Sequence, residues 1–237
     1  IEAFAAASAA SIGGLPVAHV HGGDRAEGVA DEAMRHAITK LAHLHFPATE
    51  ESAGRILRMG EAESRVQVVG SPAIDELRTF EAMDDESAQK LGDPEVVFLM
   101  HPVGRPDEQE EAVAASALTA IGERRTLCLH PNLDPGRTGL LRAIESAAAS
   151  EHVHTEEHLP RSQFVGLLKR LAEKGGLLVG NSSAGLIEAG AIGLPAVDIG
   201  PRQSGRERGT NVVHAKGEHA GAIVAAIGEA LEMDRAS

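Results

Sequence analysis

Two stretches concentrate groups that can hold an anion. Gly180-Asn-Ser-Ser-Ala-Gly-Leu-Ile-Glu188 leaves an apolar run and enters a turn of small residues. The hydroxyls of Ser182 and Ser183, beside backbone N–H groups at the start of a helix, make a seat for phosphate. Glu188, one to two turns on, can accept from ribose hydroxyls. The same serines would equally serve as an ordinary helix N-cap. Gly200-Pro-Arg202-Gln-Ser-Gly-Arg206-Glu-Arg208 then brings three arginines into a glycine-bearing loop. Guanidinium forks match diphosphate oxygens; the alternative is a solvated charged loop.

Upstream residues are suited to moving protons. His19-Val-His21-Gly-Gly-Asp24 leaves a strand and enters a glycine-rich loop. It lacks Walker or dinucleotide spacing, so an ordinary strand-to-helix turn is the competing reading. Asp31 and Arg35 lie four apart and share one face of a helix. A carboxylate beside a guanidinium stays ionised and oriented, as a general base or an anchor requires. The plainer reading is a capped helix with a surface ion pair. His101-Pro and His130-Pro-Asn132 each place polar groups just past a strand. The histidine-rich stretch from His36 to His45 invites a metal reading. His43 and His45 are read as facing opposite ways, poor geometry for joint ligation, and no metal is expected.

These groups need elements to hold them. Helical patterns cover residues 2–12, 31–41, 50–59, 108–121, 139–149, 160–174, 184–191 and 220–233. Short apolar runs at 16–21, 44–46, 66–69, 96–100, 126–130, 177–179 and 196–199 read as strands. Residues 81–94, acidic and polar, read as a linker. Strands alternating with helices imply βαβ units and parallel sheets. The expected architecture is α/β, with two doubly wound lobes at residues 1–80 and 81–237, the first incomplete. Ligands in such sheets sit off the carboxyl ends of the strands, where the motif-bearing segments fall.

Composition narrows the function. The chain has 237 residues, 43% hydrophobic and 24% charged, enough for a sizeable core and against wholesale disorder. No apolar run reaches the roughly 18 residues that span a bilayer, so a soluble protein is expected. The start lacks the basic segment of a signal peptide. A net charge of −13 argues against nucleic-acid or anionic-membrane partners, while leaving room for an anionic ligand at a local arginine cluster. Trp and Tyr are absent and Phe numbers five, so stacking platforms are scarce. The single cysteine, Cys128, excludes an internal disulfide framework and suits a reducing cytoplasm, the expected compartment.

Taken together, the segments resemble the UDP-N-acetylglucosamine 2-epimerases, in particular the hydrolysing branch that opens sialic acid and nonulosonate synthesis. The resemblance rests on His19-Val-His-Gly-Gly-Asp24, Arg35-His-Ala-Ile-Thr-Lys-Leu-Ala-His43, Val69-Gly-Ser-Pro72 with Asp75, His101-Pro, Pro131-Asn132, Gly180-Asn-Ser-Ser183 with Glu188, and Arg202-Gln-Ser-Gly-Arg206. It implies a GT-B-like fold of two Rossmann-type lobes with the site in the cleft between them. It also implies elimination of UDP to 2-acetamidoglucal, followed by addition of water to give N-acetylmannosamine and UDP, without a cofactor. The non-hydrolysing branch would return UDP instead.

Carried over, the resemblance gives Ser182, Ser183, Glu188 and Arg202 to UDP, with Arg206 supporting the loop and Asn132 at the nucleotide. His101 would meet the diphosphate and steady the leaving group. Asp31 would be an acid–base carboxylate positioned by Arg35. His21 stands where many relatives carry a catalytic Glu, and a histidine can move protons near neutral pH. A UDP-sugar is the implied partner, and a homo-oligomer is implied for the full-length parent. In the family a βα portion with a Gly-rich loop and a catalytic Asp precedes the position of Ile1. The chain is therefore expected to be a fragment or a degraded homologue, binding UDP and turning over slowly or not at all. A nucleotide-sugar binding module without catalysis and a retaining GT-B glycosyltransferase are the competing functions.

Overall fold

A computed structural model describes residues 1–25 and 31–233, the side chain of Asp31 excepted. Two compact units emerge: Ile1–Pro72 with Ser204–Glu207, and Ala73–Gln203 with Arg208–Ser237.

The first unit contains α1 (Glu2–Ile12), β1 (Ala18–Val20), α2 (Asp31–Leu41), β2 (Leu44–Phe46) and α3 (Glu50–Arg58). β1 and β2 pair in parallel, with His19 opposite His45. Thr49 starts α3 by accepting from the Ser52 N–H at 3.1 Å. Glu50 and Glu51 in its first turn, with Arg55 and Arg58 in its last, complement the helix dipole. The strand expected at 66–69 reduces to a single parallel bridge between His45 and Val66. Pro47 follows β2 and has no N–H to donate, so the ladder cannot run on.

The second unit contains α4 (Asp85–Lys90), β3 (Val96–Leu99), α5 (Asp107–Ile121), β4 (Thr126–Leu129), α6 (Arg137–Ala147) and β5 (Val153–Glu156), then α7 (Arg161–Lys174), β6 (Leu177–Gly180), α8 (Glu188–Ile192), β7 (Ala196–Asp198), β8 (Val212–His214) and α9 (Ala220–Leu231). The six strands form one parallel sheet in the order β5-β4-β3-β6-β7-β8. Alternate residues of a strand face opposite ways. Val96 and Phe98 therefore pack with α5, α6 and α9, while Val97 and Leu99 pack with α7 and α8. Cover on both faces is why the central strands read as unbroken apolar runs. Cys128 lies in this core, and burial pushes its thiol up to about 12, which makes it inert.

The acidic stretch at 81–94 carries α4, capped by Asp84, which accepts from the Ser87 N–H at 2.7 Å. The helix expected at 184–191 is instead a 3₁₀ turn at Ser183–Gly185 followed by the five-residue α8. Among the described residues, no helix is long and apolar enough to cross a membrane.

Strand order reverses between β3 and β6, which opens a crevice at their carboxyl ends. Gly180 closes β6 there with φ of 150°, and a Cβ on it would lie 2.0 Å from the Leu99 carbonyl oxygen. Only glycine permits that approach.

Candidate functional site

In the second unit, Asn181 sits just past β6 and is 1% exposed. Its side chain continues the sheet where the backbone ladder stops. Oδ1 accepts from the His101 N–H at 2.7 Å, and Nδ2 donates to the His101 carbonyl at 2.8 Å. The Asn181 carbonyl accepts from Gln203 Nε2 at 2.7 Å and from Arg202 Nη1 at 3.4 Å. One side chain thus joins the ends of β3 and β6 to the arginine loop.

The same crevice fixes the His101 ring. The Asn132 backbone N–H meets His101 Nδ1 at 3.1 Å. A backbone N–H can only donate, so Nδ1 accepts and the neutral ring carries its proton on Nε2. Burial, with the Arg202 charge adding to it, pushes the His101 pKa down to about 4. At neutral pH the ring is an uncharged donor, suited to a phosphate or leaving-group oxygen.

A cavity of about 460 Å³ opens at the carboxyl ends of β3 and β4, lined by His101, Asn132, Leu129, Phe164, Arg161 and Glu188 among others. Its walls combine apolar surface with a few convergent polar groups, as a small-molecule site requires. Glu188 pairs with Arg161 at 3.3 Å. Ser182, 8% exposed, spends its Oγ on the Ala184 N–H at 3.3 Å, and Ser183 opens the 3₁₀ turn.

The arginine loop does not act as one cluster. Arg202 stays at Asn181. Arg206 lies in Ser204–Glu207, the segment that groups with the first unit. Arg208 bonds the buried Asp198 at 2.8 Å, and His214 shares that oxygen at 3.0 Å.

In the first unit, His21, Arg35 and Arg206 converge on Asp24. His21 Nδ1 is 3.1 Å from Asp24 Oδ2, and its Nε2 is 2.7 Å from Ser71 Oγ. Ser52 donates to Asp24 Oδ1 at 2.8 Å, and Arg206 Nη2 lies 3.5 Å from Oδ2. Arg35 donates to the Asp24 carbonyl at 3.2 Å. Burial alone would raise the Asp24 carboxyl, but the bonds from His21 and Ser52 and the Arg206 charge outweigh it and hold it below its ordinary value. Gly23, with φ of 79°, brings this loop against α3; a Cβ there would sit 2.2 Å from the Ser52 carbonyl oxygen.

Asp31 opens α2, and its side chain lies outside the described residues. His43 and His45 are not brought together. Two-residue spacing would put both on one face of a strand, but His43 precedes β2 and is exposed while His45 is buried. Among the described residues, no three His, Cys, Asp or Glu side chains converge as a metal site would need.

Sequence reading gave no role to Asp24, Ser71, Asn181, Gln203 or Arg161. Asn181 and Gln203 flank residues that were singled out, and a strand ending in Gly-Asn is a usable signal. Ser71 stands in the Val69–Pro72 motif, but its bond to His21, fifty positions away, exists only in the folded chain.

The family description "UDP-N-acetylglucosamine 2-epimerase" matches residues 1–237. A UDP-N,N'-diacetylbacillosamine 2-epimerase (hydrolyzing) from Legionella pneumophila is 38% identical over 221 residues, covering 90% of this chain and 57% of the relative. A UDP-N-acetylglucosamine 2-epimerase from Neisseria meningitidis is 29% identical over 220 residues, again covering 90% and 57%. The chain therefore spans somewhat over half the length of these curated relatives. The crystal structure of the Methanocaldococcus jannaschii UDP-GlcNAc 2-epimerase in complex with UDP-GlcNAc and UDP superposes with a TM-score of 0.78 at 17% identity, covering 98% of this chain and 67% of that one. At that identity the likeness speaks for the fold, α/β and GT-B-like with Rossmann-type parallel sheets. The match along the full sequence, the 38% identical relative and the shared fold agree: the chain belongs to the UDP-N-acetylglucosamine 2-epimerase family.

Proposed function

We propose that the chain carries the UDP-binding and proton-handling parts of a hydrolysing UDP-sugar 2-epimerase acting on UDP-N-acetylglucosamine or its diacetylated bacillosamine counterpart. The observation that carries this reading is His101 at the reversal point of the sheet, its backbone clamped by Asn181 and its ring fixed as a neutral Nε2–H donor by the Asn132 N–H, with Arg202 beside it. In this reading Arg202, Ser182 and Ser183 hold the diphosphate, and the cavity bounded by Asn132 and Glu188 takes the nucleoside. His101 donates to the departing UDP oxygen. His21 and Asp31 exchange protons with the sugar, Arg35 positions Asp31, and Arg206 acts through Asp24. Loss of the C2 proton with departure of UDP gives the glucal, and water then adds to release the 2-epimeric free sugar. The hydrolysing outcome is supported by the name of the Legionella relative and by the block from Arg35 to His43.

Proton NMR of the chain, and of its full reading frame, with UDP-N-acetylglucosamine in D₂O tests the proposal. Free N-acetylmannosamine and UDP, with deuterium at C2, are expected. UDP-N-acetylmannosamine would move the reading to the non-hydrolysing branch. Broadened UDP lines without product would leave a nucleotide-sugar binding module.

A further inference from the structure

His21 has a left-handed backbone, φ of 63°, which among the described non-glycine residues it shares with Asp93 alone. Residues with side chains adopt that conformation at a cost, and such outliers gather at functional sites. The strain aims a ring whose two nitrogens are both engaged. Asp24 is an ionised carboxylate and can only accept, so Nδ1 carries the proton it donates to Oδ2. With that proton on Nδ1, a neutral ring has its lone pair on Nε2, placed to accept from the Ser71 hydroxyl 2.7 Å away. A proton bound for His21 along this line meets Ser71 Oγ first.

We infer that Ser71 is the relay hydroxyl of the site: resting on the reading of His21 as an acid–base group, protons enter and leave the imidazole through Ser71 Oγ, with Asp24 as the positioning residue behind it. In the forward step Oγ takes the proton from the substrate carbon while its own proton passes to Nε2. The C–H electron pair becomes the C1–C2 double bond, and the C1–O pair leaves with UDP. The imidazolium that results is held by the Asp24 carboxylate. One proton is transferred, and nothing is oxidised or reduced.

The same Ser–His–Asp connectivity serves acyl transfer elsewhere, but one part is missing here. In the α/β-hydrolase form of that triad, one oxyanion donor is the N–H of the residue after the serine. That residue is Pro72, which has none. Proton relay needs no such donor. The charged groups around the pair are Arg206 on the Asp24 carboxylate, Arg35 on the Asp24 carbonyl and Arg55 on the Gly23 carbonyl. Of these, the Arg206 charge favours an ionised Asp24.

The test compares wild type, Ser71→Ala and Ser71→Thr by turnover of UDP-N-acetylglucosamine and by long-range ¹H–¹⁵N correlation of the histidine rings. Ser71→Ala should lower kcat about a hundredfold, the scale of general acid–base catalysis, with KM nearly unchanged. Ser71→Thr, which keeps the hydroxyl, should recover most of it. The His21 spectrum should show the proton on Nδ1, and Ser71→Ala should shift Nε2 while leaving Nδ1 in place. Wild-type kcat in Ser71→Ala, a proton on Nε2, or a His21-dependent fluorophosphonate adduct on Ser71 would each overturn the relay. Absence of product from the wild type with both UDP-N-acetylglucosamine and UDP-N,N'-diacetylbacillosamine would sink the turnover reading and the relay with it. Product from the wild type with an indifferent Ser71→Ala would sink the relay alone.

Discussion

Arg202 and Arg208 leave the same loop, yet they do different work. Arg202 reaches the Asn181 carbonyl beside the His101 donor, while Arg208 bonds an Asp198 side chain that is 2% exposed. Replacing Arg202 with Ala should weaken UDP binding by about 1.5–3 kcal/mol, the scale of a charged hydrogen bond, as read by titration calorimetry. Unchanged affinity would remove Arg202 from the nucleotide. Arg208→Ala makes the opposite prediction. It strips a buried carboxylate of its cationic partner, so stability should fall by about 1–3 kcal/mol while UDP affinity in the folded protein stays near wild type. Thermal melts beside the same calorimetry separate the two cases, and equal behaviour of the two variants would restore the loop as one diphosphate clamp.

At the scale of the element, two glycines give opposed expectations. Gly180 ends β6 against β3, where a Cβ would press on the Leu99 carbonyl; Gly228 lies exposed in α9, and a Cβ there would meet nothing within 4 Å. Gly180→Ala should therefore forfeit several kcal/mol or fail to fold, whereas Gly228→Ala should gain about 0.5–1 kcal/mol from helix propensity. Urea midpoints of both variants check the pair. The central strands were legible in the sequence because burial on both faces leaves an apolar run. The edge strands β5 and β8 were not, being short and half-buried with His and Glu among their residues. The strand expected at 66–69 failed on a proline in its neighbour. The site divides in the same way. Ser182, Glu188 and Arg202 stand in compact motifs. The Asn181–His101 clamp and the Ser71–His21 bond span 80 and 50 positions and exist only once the chain has folded.

At the scale of the whole molecule, buried imidazoles set the response to acid. His19 is 8% exposed in β1, opposite the buried His45 and bonded through Nδ1 to Thr39 at 3.2 Å. Burial, with the His45 and Arg35 charges adding to it, pushes the His19 pKa down to about 4, and His101 in the other unit also falls to about 4. The unfolded chain takes up these protons near pH 6.5, so between about 6.5 and 4 it binds more protons than the native state, and stability must fall with pH. Each group contributes at most about 1.4 kcal/mol per pH unit across that window. A competing effect acts on net charge. Protonating exposed histidines reduces the −13 of the chain and relieves self-repulsion. At about 0.15 M salt the screening length is near 8 Å, which mutes that relief but not the cost of charging a buried ring. With neither Trp nor Tyr to report by fluorescence, hydrogen exchange read by mass spectrometry is the suitable probe, and it resolves each unit separately. Protection corrected for intrinsic exchange should decline in both units from about pH 6.5 to 4. His19→Gln should flatten the decline in residues 1–72 and leave that around His101 unchanged. A decline that begins only below pH 4 would assign acid sensitivity to the carboxylates instead, Asp24 among them, and would mean that the histidines can charge without cost to the fold.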